Sequence, residues 1–349
     1  MLAAGGSGVF GARLCRELAQ RGQVVTVAAR RRQGAEAVAA ALGEPHRALA
    51  LDLDDGRALR AALEAHDALA CCAGPFAGAR TAAVLAACLE VGRHYADIAE
   101  ERESLAAARA ASTRFAERGL LAVVGCSSLP GVSAALALRA RAAGPAEAPR
   151  RARVTLFIGN DNAKGEAAAA SLLRQMGRPI AAPQGTLRGL RECVRVSLPA
   201  PIGPRLASTF DGPELDLFPP LLGVAEVETK VAFELPGAIR LLALLAALGL
   251  RPGGRAARWM VAGGNLTRRF GHSSGAVMVE LSWKGGATQR AALTADRDGQ
   301  RVAVLPCALA LAALDGGAPA RGTLLPHELL GADGLLDALV AEGFTLHAA

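Results

Sequence analysis

Aromatic residues, lysines and long apolar runs are all scarce in this 349-residue sequence. Aromatic residues make up 3% of it, too few for the stacking platforms of proteins that bind single-stranded nucleic acid. The only lysines are Lys164, Lys230 and Lys284, and the arginines are scattered, so the net charge of +7 forms no basic stripe. The longest central apolar run, Leu241–Leu250, is about half as long as a membrane span. We therefore expect a globular protein without a nucleic-acid partner or a membrane span.

Patterns typical of disulfides, metal sites and secretion are also lacking. The seven cysteines are an odd number without a C-x-x-C pair, which argues against a disulfide framework and favours reduced thiols. The six histidines show neither H-x-H nor H-E-x-x-H spacing, so no metal site is predicted. No charged segment followed by an apolar run opens the sequence, and we expect a cytoplasmic location. The surplus positive charge favours an anionic small molecule as ligand.

A glycine-rich turn lies close to the start of the sequence. Its pattern is G-x-G-x-x-G, and Phe10, Leu14 and Leu18 follow at the spacing of one helical face, before a strand at Val24–Ala29. Such glycines permit a tight turn and close approach of a pyrophosphate, and the helix N-terminus offers N–H groups to the phosphates. The predicted cofactor-binding residues of this turn are Gly6, Ser7, Gly8, Val9, Phe10 and Gly11.

Strands and helices alternate regularly through the first part of the chain. Strand patterns occur at Ala48–Leu53, Asp67–Cys72, His94–Ile98 and Leu120–Val124, each followed by a helical pattern. This alternation is typical of βαβ units with helices on both faces of a parallel sheet. The sequence therefore predicts an α/β fold with a doubly wound parallel (Rossmann) sheet.

A second domain with a different pattern follows a Pro- and Gly-rich link at Gly144–Pro149. Strand patterns such as Ala225–Glu234 and Ala276–Trp283 alternate apolar and polar residues, as in a mostly antiparallel sheet of an α+β domain. We expect a dinucleotide-binding domain at 1–143, an α+β substrate domain at 150–300 and C-terminal helices at 301–349. The apolar helix Ile239–Leu250 is expected to be buried against a sheet, with a dimer surface or a membrane-docking face as alternatives.

Three arginines distinguish between the two nicotinamide cofactors. Folds that bind NAD usually carry an acid about 20 residues past the glycines, which holds the ribose 2′-OH. Residues 23–33 contain no acid and instead include Arg30, Arg31 and Arg32. Guanidinium groups bind phosphates through charge-assisted bonds. We therefore predict NADP, with Arg30 and Arg31 on its 2′-phosphate; the alternatives are NAD and a solvated arginine cluster.

Further candidates lie where ligands of such sheets bind, beyond the carboxyl ends of the strands. Asp52 is predicted to contact the adenine, with capping of the next helix as the alternative. Ala73 and Gly74 open a rigid turn assigned to the cofactor, and Phe76 in the same turn is placed near the nicotinamide and the substrate.

Two serines and two candidate proton donors complete the predicted site. Ser127 and Ser128 are predicted substrate-binding residues, and their alternative role is to cap the helix that follows. Reduction of an imine, carbonyl or enoyl group needs a proton as well as a hydride. Asp97 ranks first as catalytic residue because it ends its strand at the ligand side, and Tyr95 ranks second. The alternative for Asp97 is a helix cap.

Four segments in this order and spacing resemble one known family. Gly5–Gly11, Ala73–Phe76, Gly92–Ile98 and Gly125–Ser133 together are similar to the saccharopine dehydrogenase NADP-binding domain family across the first 140 residues or so. The resemblance implies a dinucleotide domain, a second α/β domain and a chain end that returns to the first. It also implies a nicotinamide oxidoreductase. Relatives act on C–N bonds of amino-acid or polyamine adducts, or on a lipid enoyl group, so the substrate stays open.

The leading hypothesis is an NADP-dependent oxidoreductase with a small-molecule substrate. A short-chain dehydrogenase needs a Tyr-x-x-x-Lys pair, and here the single tyrosine, Tyr95, is followed four residues later by Ala99. A non-catalytic NADP-binding sensor or scaffold is the alternative from another class. A homodimer is also left open.

Overall fold

The computed structural model describes residues 1–250, 254–315 and 320–348. The chain divides into a first unit, Met1–Gly131 with Arg301–Gly331, and a second unit, Val132–Gln300 with Ala332–Ala349.

The strands and helices of the described residues are numbered along the chain. The strands are β1 (Leu2–Ala4), β2 (Thr26–Ala29), β3 (Arg47–Ala50), β4 (Ala68–Cys71), β5 (His94–Asp97), β6 (Leu121–Val123), β7 (Arg151–Ile158), β8 (Pro179–Ala182), β9 (Gly185–Arg188), β10 (Cys193–Ser197), β11 (Pro204–Thr209), β12 (Glu226–Phe233), β13 (Gly275–Ser282), β14 (Thr288–Ala295), β15 (Gly322–Leu324) and β16 (Thr345–Ala348). The helices are α1 (Val9–Gln20), α2 (Arg32–Leu42), α3 (Gly56–Glu64), α4 (Gly78–Val91), α5 (Arg102–Ala110), α6 (Ser112–Glu117), α7 (Ser133–Ala142), α8 (Glu166–Arg174), α9 (Glu214–Leu222), α10 (Pro236–Ala247), α11 (Gly254–Leu266), α12 (Leu305–Asp315), α13 (Pro326–Leu330) and α14 (Ala332–Ala341).

The first unit contains a seven-stranded parallel sheet. Its order is β15-β6-β5-β4-β1-β2-β3, and every pair is parallel. The six strands from the first part of the chain have the order 3-2-1-4-5-6 of a doubly wound sheet, so the turn after β1 lies where the strand order reverses. The predicted Rossmann sheet is therefore confirmed. β15 extends it beside β6, an edge that the sequence patterns did not predict.

Small side chains in the central strands allow helices to pack on the sheet. Ala3, Ala70 and Ala96 are buried in one apolar cluster. Helix α1 contributes Leu14 and Leu18 to the same cluster, four residues apart on one helical face. This packing fixes α1, and with it the glycine-rich turn, against the sheet.

The second unit contains a mixed sheet in the order β10-β11-β12-β7-β13-β14-β16 and a separate β8–β9 hairpin. Neighbours in the large sheet are antiparallel except for the parallel pair of β12 and β7. The predicted α+β second domain is confirmed.

The expected domain bounds need two corrections. Helix α7, expected within 1–143, lies in the second unit, where it contacts β13 and β14. The segment Ala332–Ala349 also belongs to the second unit, because β16 pairs with β14. Of the predicted C-terminal return, Arg301–Gly331 lies in the first unit.

Helix α10 differs from the expectation that it is buried. Its inner face, with Ile239 and Leu242, is buried, and the helix contacts β10, β11 and β12. Leu241, Leu244 and Leu248 on the other face are exposed. A helix that is apolar on both faces can be buried on both or covered on one only, and the sequence pattern alone does not distinguish these two cases. Within the described residues, no helix has the length and apolar character needed to cross a membrane.

Candidate functional site

Three glycines of the turn between β1 and α1 are required by packing. Gly5 has a φ of +74°, and a Cβ on it would lie 2.7 Å from the backbone N of Ala73. A Cβ on Gly6 would lie 2.7 Å from Cγ1 of Val27, and one on Gly11 would lie 2.1 Å from the carbonyl O of Gly5. These glycines let the turn contact β2, the loop after β4 and the start of α1.

Packing excludes a side chain at Gly8 less strictly than at the other three glycines. A Cβ on Gly8 would meet a single atom of the described chain within 4 Å, the carbonyl O of Gly5 at 3.3 Å. Gly8 is exposed and precedes α1, whose N-terminus has no capping side chain and no acid in its first turn. The missing side chain leaves this N-terminus accessible, and a helix N-terminus favours phosphate groups. The turn therefore fits the pyrophosphate of a dinucleotide.

Two arginines lie beside this turn at the carboxyl end of β2. A Cβ on Gly34, in the first turn of α2, would lie 3.1 Å from Cβ of Ser7, so α2 begins against the glycine-rich turn. Arg32 pairs with Glu36 at 2.8 Å. Arg30 and Arg31 are exposed and form no ion pair with a described residue. Two guanidinium groups thus remain for a phosphate next to the turn.

The carboxylate of Asp52 does not cap helix α3. That role belongs to Asp55, which accepts hydrogen bonds from the backbone N–H groups of Arg57 and Ala58. Oδ1 of Asp52 accepts from the backbone N–H of Asp54 at 3.1 Å, and its side chain is exposed after β3. The capping alternative is therefore wrong, and the predicted adenine contact stays a prediction.

The loop after β4 lies against the glycine-rich turn. Ala73 lies close to Gly5, since a Cβ on Gly5 would be 2.7 Å from the backbone N of Ala73. Phe76 is half-buried and packs against the apolar cluster of the first unit. A Cβ on Gly74 would lie 3.8 Å from the Phe76 ring. The structure thus brings Ala73 and Gly74 to the predicted edge, and the substrate contact of Phe76 stays a prediction.

Asp97 and Tyr95 are paired inside the first unit. The Tyr95 hydroxyl donates to Oδ2 of Asp97 at 2.9 Å, and Oδ1 accepts from the backbone N–H groups of Gly125 at 2.8 Å and Ala99 at 3.1 Å. Asp97 is 0% exposed and Tyr95 1%. Burial raises the pKa of Asp97 to about 6, although its hydrogen bonds favour the charged form.

This geometry favours a positioning role for Asp97. Helix α5 is preceded by Glu101, so Asp97 does not cap it. The carboxylate instead joins the loops that follow β5 and β6. Neither Asp97 nor Tyr95 reaches the surface, and their catalytic roles stay predictions.

Glu100 is a candidate that the sequence analysis missed. Its Oε1 accepts from the Ser127 hydroxyl at 2.6 Å and from the Ser128 hydroxyl at 2.9 Å. Glu100 is half-buried, and burial raises the pKa of its carboxyl, while the two serine hydroxyls act in the opposite direction. The available signal was its position three residues past β5, at the same edge of the sheet as the glycine-rich turn.

The serine contacts argue against the capping alternative. Helix α7 is preceded by Val132 without a capping side chain, so Ser127 and Ser128 do not cap it. They gather around Glu100, and substrate binding by them stays a prediction. No group of His, Cys, Asp or Glu side chains within the described ranges could hold a metal ion.

A comparison with known families finds a match over the first part of the chain. The family model described as "Saccharopine dehydrogenase NADP binding domain" matches residues 3–123. Over these residues the chain is similar to that domain family. The predicted family and the predicted cofactor, NADP, are thereby confirmed. The open site at Gly8, with Arg30 and Arg31 beside it, lies within the matched residues, and binding of the cofactor by these residues stays a prediction. A search of the curated proteins finds no match.

Solved structures extend the similarity to the whole fold. An apo histidine-tagged saccharopine dehydrogenase (L-Glu forming) from Saccharomyces cerevisiae matches over 100% of this chain and 99% of that chain, with a TM-score of 0.69 and 14% identity. At this identity the match concerns the fold alone. A short-chain dehydrogenase from Streptomyces avermitilis matches over 35% of this chain and 63% of that chain, with a TM-score of 0.28 and 19% identity, too low to carry an argument. The NADP binding domain and the fold together support an NAD(P)-dependent oxidoreductase.

Proposed function

We propose that this protein is an NADP-dependent oxidoreductase of the cytoplasm that transfers a hydride to or from a small molecule. The observation that carries the proposal is the contrast within the glycine-rich turn. Packing requires glycine at positions 5, 6 and 11, whereas a Cβ on exposed Gly8 would meet one atom, the carbonyl O of Gly5 at 3.3 Å, and would otherwise face the open space beside an uncapped helix N-terminus. A pyrophosphate accounts for that space. The non-catalytic sensor finds no such support from the family or the fold.

This geometry supports an assignment of the residues that would bind NADP. Backbone N–H groups of Val9 and Phe10, in the first turn of α1, hold the pyrophosphate. Ser7 lies between the two helix starts, where its hydroxyl is available to the same phosphates. Arg30 and Arg31 hold the 2′-phosphate. Bound NADPH supplies the hydride.

Glu100 supplies the proton in the direction of reduction. The acceptor is the C–N double bond of an amino-acid adduct, a carbonyl or an enoyl group, and it gains one hydride and one proton. A carboxyl group with a raised pKa retains a proton closer to neutral pH than an ordinary glutamate does, which suits a general acid. When Glu100 gives up that proton, the hydroxyls of Ser127 and Ser128 stabilise the carboxylate, and solvent restores the proton.

Asp97 and Tyr95 act as positioning residues in this proposal. By joining the backbone after β5 to the backbone after β6, Asp97 holds Glu100 close to Ser127. This role needs no contact between Asp97 and a substrate, in agreement with its complete burial.

The test is NADPH oxidation with a panel of imines, carbonyls and enoyl compounds, followed by Glu100→Gln. We expect turnover with one class, and a loss of about 10²–10⁴-fold in the variant with unchanged NADPH affinity. Glu103→Gln is the matched control, because that carboxylate is exposed only three residues away. Parent-like turnover of Glu100→Gln would remove Glu100 from the mechanism. NADPH binding without turnover across the panel would contradict the oxidoreductase.

A further inference from the structure

One segment of the second unit combines apolar exposure with positive charge. From Leu235 to Val279 the sequence contains no aspartate or glutamate. The same stretch includes helices α10 and α11, and its arginines are Arg240, Arg251, Arg255, Arg258, Arg268 and Arg269. Elsewhere the chain carries both signs of charge, with 32 acidic residues in total. This segment therefore differs from the rest of the chain in carrying positive charge without acidic residues.

Helix α10 exposes a row of leucines. Leu241, Leu244 and Leu248 are spaced at i, i+3 and i+7, the spacing of one helical face. Leu244 is 57% and Leu248 65% exposed. The opposite face is already packed on the sheet, so the outer row does not serve the core.

Helix α11 and the turn after it also expose large apolar side chains. Trp259 is 77% exposed, and Leu266, two helical turns further on, is also exposed. Phe270 is exposed in the short turn Arg268–Phe270, and the Arg269 guanidinium lies 4.8 Å from the centre of its ring. Exposed tryptophan beside arginine is typical of residues at the boundary between lipid headgroups and acyl chains.

The charges of the segment are available to a partner. Arg240 and Arg258 are exposed and form no ion pair with any residue that the structure describes. Arg268 pairs with Asp161 at 3.0 Å. A second copy of this face would bring arginines against arginines, which disfavours self-association. A negatively charged surface complements the face.

We propose that the outer faces of α10 and α11 dock on the surface of an anionic lipid bilayer. Helix α10 has 12 residues, about 18 Å in length, which suits a helix lying in the plane of the interface and not one that spans it. The exposed leucines and Trp259 enter the headgroup boundary, and the arginines contact anionic headgroups. The inference is independent of the hydride-transfer site, which lies in the first unit.

The test is flotation of the full chain with phosphatidylserine–phosphatidylcholine vesicles. Wild-type protein should float with these vesicles and much less with pure phosphatidylcholine. Leu244→Ser with Leu248→Ser should weaken the partition roughly 20- to 500-fold, because more than half of each leucine leaves water on docking. Arg240→Gln with Arg258→Gln should weaken it by about fivefold per charge.

Val24→Ser is the matched control, because Val24 is a 53% exposed apolar residue in the first unit. It should leave flotation unchanged, and NADPH binding should persist in all variants as evidence of folding. Absence of flotation, equal binding to both vesicle types, or parent-like binding of the leucine variant would each overturn the proposal. A dimer that the leucine variant dissociates, without vesicle binding by the parent, would assign the face to a second copy instead.

Discussion

Replacing Arg30 and Arg31 with alanine should convert an NADPH-selective site into one that hardly distinguishes NADPH from NADH. Both guanidinium groups are exposed beside the start of α2, without an ion pair among the described residues. Their removal therefore breaks no ion pair among the described residues, and we expect little change in the free energy of unfolding. The effect should be confined to the ligand that carries the 2′-phosphate.

The magnitude follows from the number of arginines available. Arg32 is already paired with Glu36, so the 2′-phosphate has Arg30 and Arg31 as partners. A hydrogen bond to a charged group contributes about 1.5–3 kcal/mol, which corresponds to roughly 10–150-fold in affinity for one contact. The double variant should lose at least this much for NADPH, and NADH affinity should change less than about threefold, since screened surface charges contribute little.

Titration calorimetry with both cofactors measures the two affinities directly. Arg32→Ala is the matched control, because it removes the neighbouring arginine that is already engaged, and it should leave the NADPH to NADH ratio unchanged. Equal weakening of NADPH and NADH by the double variant would refute the assignment of the 2′-phosphate. The same conclusion would follow if Arg32→Ala had the larger effect.

Two further predictions concern the glycine-rich turn and the buried carboxyl group. Gly8→Val should abolish NADPH binding and lower Tm less than Gly11→Ala does, because a Cβ on Gly8 would lie 3.3 Å from the carbonyl O of Gly5 and one on Gly11 only 2.1 Å from it. Thermal unfolding and NADPH titration of both variants distinguish loss of ligand space from loss of packing. The raised pKa of Asp97, about 6, means that the folded state holds this proton more tightly than the unfolded state, so stability falls as pH rises through 6. Between pH 5 and pH 7 the Asp97 carboxyl should lower the free energy of unfolding by about 1 kcal/mol, and Asp97→Asn should remove this contribution. Denaturant unfolding of the parent and the variant at both pH values measures it. An equal change in the two proteins would contradict the assignment.

The glycine-rich turn and the parallel sheet could be predicted because their signals are local. The motif, the helical spacing of Phe10, Leu14 and Leu18, and the alternation of short strands with helices all lie within stretches of a few tens of residues. The partners of β15 and β16 could not be predicted in this way. β15 pairs with β6, and β16 with β14, so each edge depends on residues far apart in sequence.

The residues of the candidate site also differ in how far apart in sequence their contacts lie. The residues of the turn and Arg30 and Arg31 follow one another closely, and their neighbourhood is visible in the sequence. The contact between Ser127 and Glu100 joins residues 27 positions apart, and only the neighbouring positions of β5 and β6 in the sheet bring them together. The prediction that Asp97 ends its strand is correct. Its buried carboxylate accepts three hydrogen bonds, from Tyr95 in its own strand and from the loops that follow β5 and β6, and the sequence does not show these contacts.

The most direct test of the proposed function is a crystal structure of the protein with NADPH. We expect the pyrophosphate at the N-terminus of α1 beside Gly8, and the 2′-phosphate in contact with Arg30 or Arg31. We also expect the nicotinamide at the sheet edge that carries Glu100. A dinucleotide bound elsewhere, a pyrophosphate away from Gly8, or a nicotinamide ring remote from Glu100 would each contradict the proposed function.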